Sequence, residues 1–190
     1  MRKIITSLLT ILFTVGVLGQ ETTKSITLDI KLPSSVLVQG TSTLHDWESV
    51  VEKTYGKMTI MDLDSIKQIE TLKVKVETTS IKSGKKLMDK LTYKALKAKQ
   101  HRWITFDFKS GELISENNQE VSIKLTGDLS IAGVTKSVSV LTNINKKGED
   151  IFLTGSYKLK MTDYGIKPPK ALFGTIKTGN QITIEFNLKF

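Results

Sequence analysis

The chain has 190 residues, with 28 basic side chains against 19 acidic ones, two histidines and no cysteine. The lack of thiols excludes disulfide stabilisation, thiol catalysis and any cysteine-built metal site. The length suits one domain with a sizeable core.

Arg2 and Lys3 precede the uncharged run IITSLLTILFTVGVL at residues 4–18, and Val17 and Gly19 place small residues at −3 and −1 before Gln20. This pattern predicts a secretory signal peptide over 1–19 and a periplasmic or secreted domain over 20–190. No cysteine follows the apolar run, so lipid attachment at a mature N-terminal cysteine is excluded.

From there most of the chain alternates with period two. SITLDIKL aligns Ile26, Leu28, Ile30 and Leu32, and TLKVKVE aligns Leu72, Val74 and Val76. ITFDF aligns Ile104, Phe106 and Phe108, and VSIKL aligns Val121, Ile123 and Leu125. VSVLTNI, IFLTGSYKLKM and ITIEFNLKF continue the pattern. Such alternation predicts antiparallel strands with one wet face. Turn signals fall at Asn117-Asn118, Ala132-Gly133, Lys147-Gly148 and Gly179-Asn180. Eight or nine strands result, joined largely by short connections, as in a barrel or sandwich. Gly40, Gly127 and Gly155 lie inside strand-like runs and are expected to mark bends or bulges.

One segment departs from this rhythm. GKKLMDKLTYKALKAK at 84–99 reads as an amphipathic helix, with Leu87, Met88, Leu91, Ala95 and Ala98 on one stripe and Lys86, Lys90, Lys94 and Lys97 on another. Ser83 is the candidate N-cap. Residues 82–102 hold eight basic side chains against Asp89, so the net positive charge belongs to this segment. An exported location and the absence of interleaved stacking aromatics argue against nucleic acid as its partner, whereas anionic lipid headgroups suit it.

GTSTLHDW at 40–47 holds Ser42, His45 and Asp46 and invites a catalytic reading. On a strand, neighbours face opposite sides, so His45 could not meet Asp46, and Ser42 would face away from His45. No nucleophile elbow is present. The two histidines, His45 and His101, lack metal-ligand spacing. Asp62 and Asp64 are the nearest approach to a carboxylate pair, and MDLDS reads as surface. No enzyme is expected.

GTSTLHDW, SIKSGKKLMDKLTYKALKA, ITFDF, LTGDLSIAGVTKSVSV and LKMTDYGIKPPKALFGTIKTGNQITIEFNL together resemble the YceI-like family of exported lipid- or polyisoprenoid-binding proteins. The segment from Gly127 to Val138 is the most specific piece. The resemblance implies an all-β fold, a lipocalin-like eight-stranded antiparallel barrel with one inserted helix over about 84–99. It also implies an apolar isoprenoid or fatty-acyl tail in the interior, with no catalytic group and no covalent cofactor. An eight-stranded barrel either fills its interior or holds one small ligand, and composition does not choose between a carrier and a filled structural barrel acting through its surface. For a carrier, the expected contacts are Trp47, Phe106, Phe108, Met161, Tyr164, Ile166 and Phe173. Pro168 and Pro169 would stiffen a lip over one barrel end. Lys86, Lys90, Lys94 and Lys97 are the expected contacts with an anionic membrane.

Overall fold

The computed structural model describes residues 25–61, 68–117 and 120–190. The expected signal peptide and the Asp62 and Asp64 pair lie outside the described residues.

The first half of the chain forms β1 (Ile26–Asp29), β2 (Lys31–Ser42), β3 (Trp47–Val51), β4 (Thr54–Ile60), β5 (Ile69–Glu77), β6 (Ile81–Lys82) and the helix α1 (Lys86–Ala95). The second half forms β7 (Trp103–Glu116), β8 (Val121–Ile131), β9 (Val134–Lys147), β10 (Asp150–Lys160), β11 (Lys170–Ala171) and β12 (Ile176–Lys189). These are more segments than the alternation predicts, because six of them are halves of bent strands. β1 runs into β2, β3 into β4 across Glu52 and Lys53, and β5 into β6 through a 3-10 turn at Thr78–Ser80.

At that corner buried hydroxyls satisfy the backbone: Ser80 Oγ donates to the Glu77 carbonyl (2.7 Å) and Thr78 Oγ1 to the His101 carbonyl (2.8 Å). β1 pairs β4 while β2 pairs β3, and β4 pairs β5 while β3 pairs β6. With each bent strand counted once and the two-residue β11 set aside, the antiparallel pairing passes through eight positions. It then returns on itself where β12 meets β2. The sheet is therefore curled into a lipocalin-like barrel, as the resemblance implies.

The curl is splayed at one seam. The β9–β10 ladder runs from Asp150↔Lys147 to Gly155↔Thr142 and stops there, after which β10 continues against β12 alone. Tyr157, Leu159 and a 3-10 turn at Met161–Tyr164 pack into this region beside Val134 and Val138.

Inside, β8 shows why the alternation was legible. Its odd-numbered residues from Val121 to Ile131 are buried and its even-numbered ones are not. One barrel end is sealed by Ile60, Ile144, Ile151 and Phe190, all without solvent exposure. A second apolar cluster, including Leu129, Ile131, Met161, Tyr164 and Ile166, lies toward the other end.

One local expectation changes. Gly179 and Asn180 do not form a turn; they sit inside β12 at a register shift against β2, where β12 carries two more residues than β2 between Thr178↔Ser42 and Ile182↔Gly40. Gly40 and Gly127 flank register shifts against β12 and β7, as expected, and Gly155 stands where the β9 pairing ends; each also lies under an aromatic ring. A Cβ would stand 2.4 Å from the Trp47 ring at Gly40, 2.6 Å from the Phe106 ring at Gly127 and 2.6 Å from the Phe186 ring at Gly155. The glycines leave room for these rings. Gly127→Val should therefore cost about 1–3 kcal/mol through overpacking, since the new side chain also meets the Asp107 carbonyl oxygen. Urea denaturation measures this, and an unchanged midpoint would show that the Phe106 ring moves aside freely.

The helix is shorter than its apolar stripe predicts. Lys85 occupies the N-cap position without a side-chain cap bond, and Ser83 plays a different part. The chain leaves the helix at Leu96, and Lys97 adopts a left-handed φ of 52°.

Candidate functional site

The inward face of the barrel does not fill its own interior. An outer cavity of about 330 Å³ and an inner one of about 150 Å³ share the wall residues Val38, Ile81, Ile104 and Ile184. The inner cavity is lined almost wholly by aliphatic and phenyl groups, among them Val140, Leu125, Phe106 and Phe186. The outer cavity continues toward α1, past Ile131, Met161, Ile166 and Ile182. It reaches solvent between α1, the turn after β2 and the segment from Pro169 to Ile176. Its lining residues Leu44 and Leu87 are 66% and 59% exposed.

α1 lies across this opening as a cover. Leu87, Met88, Leu91, Thr92 and Ala95 line the cavity, and no residue of the helix is buried. Its apolar stripe therefore faces space rather than a packed core. Polar anchors tie it to the barrel. Tyr93 Oη donates to the Ile81 carbonyl (3.0 Å), with Lys82 Nζ 5.2 Å from the centre of the Tyr93 ring. Asp89 accepts from the Ser83 amide (2.8 Å) and hydroxyl (2.6 Å). Partial burial works against the charged carboxylate, but the two bonds from Ser83 outweigh it and hold Asp89 below the ordinary aspartate range. The anchor thus favours the docked helix above the ordinary carboxyl pKa, an advantage lost as pH falls through the lowered value.

The GTSTLHDW stretch is not one strand. β2 ends at Ser42, residues 43–46 turn, and β3 starts at Trp47, so that Gly40 pairs with Trp47 across a hairpin. Ser42 Oγ donates to the His45 carbonyl (2.7 Å) and accepts from the amides of Leu44 and His45. The His45 ring pairs through Nδ1 with the Asp46 carbonyl (2.6 Å), and Trp47 Nε1 donates to the Thr41 carbonyl (3.0 Å). Ser42 and His45 therefore build a turn, and no triad geometry is formed. Among the described residues no three of His, Asp and Glu converge as metal ligands.

The residues expected to contact a ligand are distributed as follows. Trp47, Met161 and Ile166 line the outer cavity and Phe106 lines the inner one. Phe108 packs against the apolar cluster of the sealed end. Tyr164 is 2% exposed beneath the Met161–Tyr164 turn, and its hydroxyl is buried without a hydrogen-bond partner. Burial, with Tyr157 and Asp163 nearby, pushes its phenol up to about 12. Phe173 lies on no cavity wall and is fully exposed on a loop tip, because the pairing of β11 with β12 turns residues 172–174 outward. Pro169 borders the outer cavity, which puts the expected lip at its mouth. The aliphatic lining of Val38, Ile81, Ile104, Ile131 and Ile184 was not singled out from sequence. Its signal was the inward half of the alternation, which every barrel strand carries.

A family model described as the YceI-like domain matches residues 32–190. Among solved structures, Burkholderia cenocepacia BcnA aligns with a TM-score of 0.69 at 17% identity, covering 83% of this chain and 96% of that one. A polyisoprenoid-binding domain from Saccharophagus degradans, implicated in plant cell wall breakdown, aligns at 0.66 and 11%, covering 87% and 98%. The Campylobacter jejuni YceI protein aligns at 0.59 and 18%, covering 95% and 91%. At these identities the likeness is one of fold. No curated protein sequence matches the chain.

Proposed function

Because the chain belongs to the YceI-like family, we propose that it is an exported binding protein that holds an isoprenoid or other long-chain amphiphile, such as a fatty-acyl lipid, in its barrel. The observation that carries this reading is the pair of adjoining apolar cavities behind α1. The outer one lies within the usual size range of small-ligand sites. An elongated apolar space suits a chain better than a compact polar substrate. The solved polyisoprenoid-binding domain of the same fold lends support. Lys85 and Lys170 at the mouth suit a polar or anionic headgroup left near solvent. No step of catalysis is part of the proposal, since Ser42 and His45 are engaged in turn hydrogen bonds.

Lys86, Lys90, Lys94 and Lys97 are all exposed along α1 and the turn after it. We assign them electrostatic attraction to anionic membranes, where each lysine near the surface contributes about 1 kcal/mol. Native mass spectrometry of the exported protein, followed by organic extraction, tests the reading. One lipid per chain is the expected result, on a polypeptide that begins at Gln20. A lipid-free protein that also rejects added prenols would instead favour a structural barrel acting through its surface, and a chain beginning at Met1 would count against export by cleavage.

A further inference from the structure

We propose that Leu172 and Phe173 form a membrane-inserting tip that turns the mouth of the cavity toward an anionic lipid bilayer. The inference rests on the carrier reading and adds the surface at which loading occurs.

Phe173 is completely exposed and Leu172 is 62% exposed. Both lie in the left-handed region, with φ of 54° and 46°, followed by Gly174 at 93°. Bulky L-residues rarely adopt this conformation. The tip thus combines a disfavoured backbone with two large apolar side chains in water, an arrangement that gains when an apolar phase receives them. It is nevertheless firmly placed. Lys170 pairs with Lys177 and Ala171 with Ile176, and the Thr175 amide donates to the Leu172 carbonyl (3.1 Å). The neighbouring turn is tied to the same hairpin: the Thr43 amide donates to the Lys177 carbonyl (3.0 Å), and the Lys177 amide to Thr43 Oγ1 (3.1 Å). That turn carries Leu44. Across the mouth, α1 presents Leu87. Leu44, Leu87 and Ala171 all line the outer cavity, so the tip, at residues 172 and 173, adjoins its rim.

The charge around this rim selects the occupant. Residues 165–178 contain Lys167, Lys170 and Lys177 and no carboxylate. Lys85 and Lys86 stand on the helix side. Of the nearby acids, Asp89 is bonded to Ser83, and Asp46 belongs to the turn. Apolar side chains ringed by lysines match the boundary between headgroups and acyl chains of an anionic bilayer. A second protein copy would bring the same positive charge to the contact. A water-insoluble chain leaving a bilayer reaches the cavity without crossing water only if the mouth faces that bilayer.

The test is flotation with vesicles of phosphatidylcholine alone and with added phosphatidylglycerol. Wild type should bind the anionic vesicles. Leu172→Ser combined with Phe173→Ser should weaken that binding by about tenfold or more, the scale expected when large apolar side chains are removed from an interface. The same variant should keep wild-type affinity for a prenol in vesicle-free solution, which also shows that it is folded. Changing Lys86, Lys90, Lys94 and Lys97 to Gln should remove the salt-sensitive part of binding and leave the part that depends on the tip. Phe173→Trp should show a blue-shifted emission quenched by brominated lipids. Equal vesicle binding by wild type and the double Ser variant overturns the tip. So does concentration-dependent self-association that the double variant abolishes, which would seat a second copy there. Prenol binding without vesicle binding removes the docking surface and leaves the carrier, whereas vesicle binding without prenol binding removes the carrier alone.

Discussion

Affinity for prenyl alcohols should climb with each added isoprene unit until the two cavities are full, and then level off. Each buried methylene contributes about 0.8 kcal/mol, so a five-carbon unit is worth roughly 3–4 kcal/mol before losses. Immobilising the chain reduces this, and a gain of about ten- to a hundredfold per unit is the expected range. Trp47 lines the outer cavity, so intrinsic fluorescence reports the titration. The junction residue Ile104, shared by both cavities, offers the sharper control. Ile104→Trp should block passage into the inner space. Short prenols should then bind nearly as before, while the further gain for longer ones disappears. Flat affinity across the series in wild type would remove the carrier reading. A variant that gains with chain length as wild type does would show that the inner cavity takes no part.

Phe190→Ala should cost about 3–5 kcal/mol and leave ligand binding intact. Phe190 has no solvent exposure and packs with Ile144, Ile151 and Leu153 at the sealed end. Truncating a buried phenylalanine loses its transfer energy and leaves a cavity that the stiff strands around it close only in part. The backbone bonds between Phe190 and Ile151 do not depend on the side chain and should persist. For a chain of this size each kcal/mol lowers Tm by about 2–4 °C, so a fall on the order of 10 °C is expected in a thermal scan. Phe190 lines neither cavity, so prenol affinity measured well below the new Tm should match wild type. A Tm within a degree or two of wild type would mean that the end is not held by this ring.

Alternation made strands such as β8 legible because one of their faces is buried from end to end. The two-residue turn at Ala132 and Gly133 was legible for a local reason too, both residues having positive φ between β8 and β9. The bends between β3 and β4 and between β5 and β6 were not, because each shifts the phase of the buried face by one residue at Glu52–Lys53 or Thr78–Ser80, where no glycine or proline marks it, and the change of pairing partner is what reveals it. The turn at 43–46 carries no such signal, because its conformation rests on Ser42 Oγ bonds rather than on a glycine or proline. The seven expected contacts favoured aromatic and loop residues. Three line the outer cavity, yet the wall between the cavities is aliphatic.

The chain's own chemistry thus determines that it forms a one-sided antiparallel sheet with a single basic amphipathic helix, since those depend on periodicity and charge between near neighbours. Tertiary structure alone decided what the inward faces enclose. A cavity is the difference between the space set by strand bending and the volume of side chains drawn from every strand around the barrel. No local pattern carries that difference. The same holds for the glycines, whose meaning came from rings on other strands or across a turn. It holds also for α1, whose apolar stripe is the same whether it covers a packed core or an opening. Phe173 shows the limit most plainly: an aromatic in an apolar stretch reads as interior, and only the β11–β12 pairing turned it toward solvent.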